Sequence, residues 1–287
     1  MSTDEQTETH SPWTDRRFQI FGIGNLLKNI GNATYSVTMP LLAYDLTESL
    51  AVMSVFALLL PLFSLLGPFV GVIVDNRNAS TVSLFGALGA MAGAIGLLVI
   101  VIIEPAPLVL WILACALIGQ AANEFYRTGW IAGVPRLFPE FPGRARAALS
   151  SLFIASTMIG PLVVALLVVP IGYDGLLTIH AVSCLAPIVV WLSGTRVRDN
   201  DQPSSRRRIR FWADLHDGWQ VVRNEKRVLL LNICLLPLLL GTGAGMGTFM
   251  VWFLRDVWLL SDSHTSYIQT GVQVAALLGS FIVAALS

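Results

Sequence analysis

The sequence predicts an all-α integral membrane protein, and three observations predict it. Of its 287 residues, 55% are hydrophobic and 13% are charged, against roughly 25% charged in soluble domains. Mean hydropathy is +0.70. Apolar runs of about 20 residues, long enough to cross roughly 30 Å of hydrocarbon, recur along the whole chain. These runs are continuous and do not alternate, which sets aside a β-barrel.

Eight spans follow in order. The first, 18–44, begins behind Arg16 and Arg17 and ends before Asp45 and Glu48; the second, 50–74, ends at Asp75. The third, 80–103, carries Gly86, Gly89, Gly93 and Gly96 at a spacing that suits close helix packing. The fourth, fifth and sixth are expected at 107–133, 145–170 and 173–194. A polar interval at 195–227 separates them from a seventh span at 228–258, punctuated by Gly241, Gly243, Gly245 and Gly247, and an eighth at 264–287. The expected organisation is therefore a polar tail (1–17), a six-span unit (18–194), a basic loop (195–227) and a partial second transmembrane unit (228–287). Short echoes support internal repetition: SLLGPFV at 64–70 against TMIGPLV at 157–163, and LGPF at 66–69 against LGSF at 278–281.

Charge placement orients the spans, because Lys and Arg near helix ends are retained in the cytoplasm. With the N-terminus inside, Arg16, Arg17, Arg77, Arg136, Arg144 and Arg146 fall on the inner side, together with nine cations of the 195–227 loop and its edge. The outer segments hold a single cation, Arg255, among Asp45, Glu48, Glu104, Asp174, Asp256 and Asp262. A cytoplasmic N-terminus in an inner membrane is expected, with no cleaved signal peptide. In the loop, Ile209, Trp212, Leu215, Trp219 and Val222 recur at helical spacing behind RRRIR. That pattern suits either a helix lying on anionic lipid at 206–227 or a solvated linker helix.

Inside the first span, GNLLKNIGNATYS sets Asn25, Lys28, Asn29, Asn32, Tyr35 and Ser36 within one arc of about 120°. A lysine near mid-bilayer costs about 2.5–3.5 kcal/mol, so this face must meet protein or water. The fourth span offers Gln120, Asn123, Glu124 and Arg127 on one face. Lys28 and Glu124 each lie ten residues from the inner end of their span, hence at similar depth, roughly 15 Å. Glu124 is expected to pair with Lys28 or with Arg127 at i+3. A carboxylate so deep suits proton exchange, with a purely structural cluster as the alternative.

Several classes have no support. No glycine run is followed by Lys-Ser or Lys-Thr after a strand, so a nucleotide loop is not indicated. The four His residues form no ligand or catalytic cluster, and Cys115, Cys184 and Cys234 read as isolated small hydrophobes, so no metal, disulfide, cofactor, enzymatic activity or nucleic-acid partner is expected.

The loop GPFVGVIVDNR, with Gly71, Asp75 and Arg77, resembles the signature loop of the major facilitator superfamily. MPLLAYDLTES (39–49), GVPRLFPE (133–140), MIGPL (158–162) and FWADLHDGWQVVRNEKRV (211–228) are similar to the exporter subgroup that includes macrolide-efflux and enterobactin-export permeases. The resemblance implies a helical bundle with two six-helix halves, of which this chain would hold the first complete and two helices of the second, ending within its eighth span. It implies close packing at Gly71 and a cytoplasmic gate at Asp75 and Arg77, although Asn76 stands where Arg usually follows the Asp. Gly160-Pro161 resembles the start of the antiporter signature, with Val164 and Ala165 where further glycine is common. The implied activity is proton-coupled efflux of a small amphiphilic molecule by a protein expected to be monomeric at full length. Asn25, Lys28, Asn29, Asn32, Glu124, Arg127 and Asn232 would line the cavity. A truncated, non-transporting subunit or sensor is the alternative, and a membrane enzyme ranks last.

Overall fold

The computed structural model describes residues 11–197, 211–239 and 247–286. Among these the chain is mainly helical, with short connections, and holds no strand, as the sequence predicts. After a 3₁₀ turn at Pro12–Thr14, α1 runs Arg16–Thr47. It begins earlier than its apolar run because the Asp15 side chain accepts the Arg17 amide at 2.7 Å, capping the helix. The second span divides into α2 (Leu50–Ser64) and α3 (Gly67–Asn76). Pro68 in the first turn of α3 has no N–H to continue the ladder. Asn78 caps α4 (Ala79–Ile103) by accepting the amides of Ser80 and Thr81. The next helix, α5, spans Leu108–Leu137.

The fifth and sixth expected spans form one element, α6 (Pro142–Ser183), which is broken at Gly172. There φ is 64° and ψ −172°, a conformation open to glycine, two residues past Pro170. A further bend at Cys184 leads into α7 (Leu185–Leu192). Beyond the polar interval lie α8 (Phe211–Asn224), α9 (Lys226–Leu239), α10 (Gly247–Trp252), a π-helical turn (Phe253–Val257) and α11 (Asp262–Leu286). The seventh expected span is thus not one uniform helix: near its end Phe253–Val257 widen into the π turn, which Trp258 caps, and Leu259 takes φ 53°. Gly241, Gly243 and Gly245 lie outside the described residues, as do Arg198, Arg206, Arg207, Arg208 and Arg210.

Among the described residues, three stretches are by length and hydropathy alone able to cross a membrane: Ala79–Ile103, Leu108–Leu137 and Pro142–Leu192. At 32 residues α1 has the length, but Lys28 and its asparagines dilute its hydropathy. At many positions the usual soluble pattern is inverted. Phe85, Ile102, Ile103, Leu110, Val169 and Leu192 stand exposed, whereas Asn25, Lys28, Asn29, Glu124, Ser156 and His180 are buried. That inversion is what a lipid solvent selects, since apolar surface costs nothing there and polar groups must find partners inside.

Glycine sets the closest crossings. A Cβ on Gly86 would strike the Tyr126 backbone, and one on Gly93 would come within 2.8 Å of Gly119 Cα, so α4 and α5 pack almost backbone to backbone. Gly160 does the same for α6 on α1, where a Cβ would lie 2.7 Å from the Thr34 nitrogen. An aromatic cluster of Phe18, Phe21, Phe138 and Phe141 closes the N-terminal end of the bundle, with Phe18 and Phe138 edge to face at 5.3 Å. Cys184 is buried as expected, but Cys234 is exposed on the surface of α9.

Candidate functional site

The polar stripe of α1 turns toward α5 and α6. Asn29 donates to Asn25 Oδ1 at 2.7 Å, and Asn25 donates to the Tyr126 hydroxyl at 3.3 Å. Lys28, fully buried, donates through Nζ to Asn32 Oδ1, one turn up its own helix. Asn32 passes the chain on, donating to Asn123 Oδ1 at 2.9 Å. The Lys28 ammonium also lies 5.9 Å from the centroid of the Tyr126 ring. No carboxylate among the described residues pairs with it. Ser36, the last member of the stripe, is exposed and bonds only the Ala33 carbonyl.

Beside Lys28 is a cavity of about 20 Å³, room for a water molecule. Asn32, Tyr35, Gln120, Asn123 and His180 share its wall. His180 is a functional candidate that the sequence reading dismissed. Its ring stacks on Tyr35 at 4.5 Å, and Nδ1 lies 3.1 Å from the Gly31 carbonyl. It is the one His within a long apolar run, which was the available signal. Tyr126 was missed because it lies two residues from Glu124, on another face of α5.

Glu124 pairs with Arg127, the second of the two expected partners. The fork is bidentate, with Arg127 Nη2 at 2.7 Å from Oε1 and Nε at 3.0 Å from Oε2. The Thr128 hydroxyl donates to Oε1 at 3.3 Å. Lys28 and Glu124 therefore share a depth but not a contact. The carboxylate faces the break between α2 and α3, since a Cβ on Gly67 would sit 3.3 Å from Oε1. The Glu124 side chain is 6% exposed and that of Arg127 46%.

The remaining candidates separate from this centre. Gly71 has open space where a Cβ would stand, so the expected close packing forms at Gly160 and not there. Asp75 and Arg77 are exposed, and no ion pair joins them to the described residues. Their loop is fastened instead by neighbours: Asn78 donates to the Val197 carbonyl at 3.0 Å, and Ser80 Oγ accepts the Val197 amide at 2.7 Å. Gly160 and Pro161 are buried against α1 behind the stripe. Asn232 lies on α9, and its side chain lies outside the described residues.

A helical bundle with apolar side chains outward and a charged, hydrogen-bonded interior is a multi-pass membrane protein. A family model described as Major Facilitator Superfamily matches residues 21–287, and the chain belongs to that superfamily. Its members are secondary transporters, a class distinct from enzymes. No curated protein matches the chain.

Proposed function

We propose that the protein is an efflux permease that moves a small amphiphilic molecule, such as a drug or siderophore, across an inner membrane by alternating access in exchange for protons. The observation that carries this reading is the Glu124–Arg127 fork. A half-exposed arginine in the middle of a 30-residue apolar helix cannot face hydrocarbon cheaply, so a wet or protein-lined path runs beside it. Protonation of Glu124 removes the carboxylate charge, frees Arg127 from its fork and changes the local charge by one unit. That change is suited to exchanging a proton for a solute.

The charge bias along the sequence supports a cytoplasmic N-terminus. It also supports a division into a six-span unit at 18–194 and a second unit from 228, joined by the 195–227 loop. Trp212 and Trp219 stand exposed on α8, which fits that helix resting on anionic lipid. Asn25, Asn29, Asn32 and Lys28 form the fixed polar wall behind the path, and Asp75 with Arg77 the cytoplasmic loop that gates it. Lys28 is held by Asn32, so it acts on Glu124 through space and not as its partner.

The test is export from a pump-deleted bacterial strain over a panel of macrolides, siderophores and dyes, comparing Glu124→Gln with the parent chain. Glu124→Gln should lower export by about tenfold or more and flatten its dependence on external pH, as for a lost proton carrier. Export and pH dependence that both survive Glu124→Gln would remove Glu124 from coupling.

A further inference from the structure

At the end of the bundle opposite the N-terminus, side chains from α1, α6 and α11 converge on Arg255 of the π turn. Its Nη1 lies 2.5 Å from Asp45 Oδ1 at the end of α1, and its Nε 3.1 Å from Asp262 Oδ1 at the start of α11. The Tyr173 hydroxyl, just past the Gly172 break of α6, bridges the same two carboxylates, 2.5 Å from Asp45 Oδ2 and 2.7 Å from Asp262 Oδ2. Alongside, the Tyr44 hydroxyl donates to Asp256 at 2.9 Å, and the Arg255 guanidinium sits 5.5 Å from the Tyr44 ring centroid.

We propose that Asp45, Tyr173, Arg255 and Asp262 form a latch that shuts the extracytoplasmic mouth by tying α1 and α6 to the 253–262 segment, and that this latch takes up one proton as it closes. The closure part follows from connectivity. These contacts cross between segments far apart in sequence that no short loop holds together. The proton follows from counting hydrogens. A tyrosine hydroxyl has one hydrogen to donate, yet both of its carboxylate contacts are of hydrogen-bond length. The second contact requires a hydrogen on Asp45 or Asp262. Without it, two carboxylates face one guanidinium and one hydroxyl, and the surplus negative charge pushes the segments apart. The other charged or ionisable groups at this end are Tyr44 and Glu48 on α1, Glu104 at the C-terminal end of α4, Asp174 on α6, Asp256 beside Arg255, and His264 and Tyr267 on α11. Four of these are further carboxylates, so closure gathers negative charge at this end. The inference rests on the alternating-access reading and assigns the outer half of that cycle: acid outside closes the mouth.

The test places a reporter cysteine below the latch. Ser266 on α11 is fully buried, one turn in from Asp262. In the full chain carrying Cys115→Ala, Cys184→Ala, Cys234→Ala and Ser266→Cys, labelling by a membrane-impermeant maleimide is followed in intact cells against external pH. Labelling should be slow in acid and quicken as the pH rises. Arg255→Gln should raise the rate about tenfold at every pH, within the usual span of interdomain couplings. Asp45→Asn, near-isosteric and supplying the missing hydrogen from its amide, should keep labelling slow and remove the pH dependence. A rate unmoved by Arg255→Gln, or a pH slope intact in Asp45→Asn, overturns the latch. Labelling and export read different things. Expected labelling without export of any probe keeps the latch and rejects transport, whereas export with pH-independent labelling does the reverse.

Discussion

Lys28 and Arg255 are both cations set among polar side chains, and their surroundings are opposite. Lys28 is fully buried, its hydrogen-bond partner is a neutral amide one turn away on the same helix, and the amides around it continue in a chain to α5. Arg255 is part-exposed and shared by two carboxylates from different segments, with a tyrosine bridging them. The first arrangement has nothing to exchange: breaking it strands a buried group. The second can trade each contact for water at modest cost, because its members already reach the surface. Fixed wall and movable clasp are thus distinguished by where each partner comes from.

The largest expected effect tests the fixed wall. Gly160→Leu would drive a side chain into the α1 backbone at Ala33 and Thr34, directly behind Lys28 and Asn32. Overpacking costs about 1–3 kcal/mol where a side chain can shift and more against backbone, so the protein should be lost from the membrane fraction or aggregate on extraction. Gly71→Leu, where open space surrounds the position, should leave extraction yield and melting temperature unchanged. If the two behave alike, the α1–α6 crossing is not what fixes the wall.

A smaller effect should carry opposite signs at the two cations. Lys28→Met removes an ammonium costing about 2.5–3.5 kcal/mol in the membrane, and forfeits a hydrogen bond worth about 1 kcal/mol. The purified protein should therefore gain about 2 kcal/mol, read as a higher melting temperature in detergent. Arg255→Met leaves Asp45 and Asp262 facing each other. Since these side chains are 32% and 19% exposed, the loss should be only about 1–2 kcal/mol. Two shifts of the same sign would abolish the distinction.

Much of this was legible in the sequence, for identifiable reasons. Hydropathy over 20-residue windows reports helix existence well, so α1, α4 and α5 fall within a few residues of expectation, displaced chiefly where Asp15 caps α1 early, α1 runs on to Thr47 and α5 runs on to Leu137. It cannot report that Gly172 joins two spans into one bent element, because a bend leaves hydropathy unchanged. The stripe on α1 was visible because one helix fixes its own periodicity. Which of Lys28 and Arg127 would hold Glu124 was not, since that depends on the rotation of α5 against α1. Charge bias singled out Arg255 as the lone cation of its side, but its partners come from chain segments that only the folded bundle brings together.

The smallest prediction concerns the link between Asn32 and Asn123, which closes the wall across α1 and α5. Side-chain hydrogen bonds between membrane helices average about 0.6 kcal/mol in double-mutant cycles, because a separated helix finds other partners. A cycle with Asn32→Ala and Asn123→Ala, followed by melting temperature, should give coupling near that value. Each single change should cost more than the coupling itself, because Asn32 also holds Lys28 and its loss leaves the buried ammonium without its amide. Repeating the cycle in Lys28→Met sharpens the point. If the amide bridge exists to anchor the cation, the penalty of Asn32→Ala falls toward the coupling energy once the ammonium is gone. An unchanged penalty would mean that Asn32 serves the α1–α5 contact alone, and that Lys28 is held by enclosure more than by its partner.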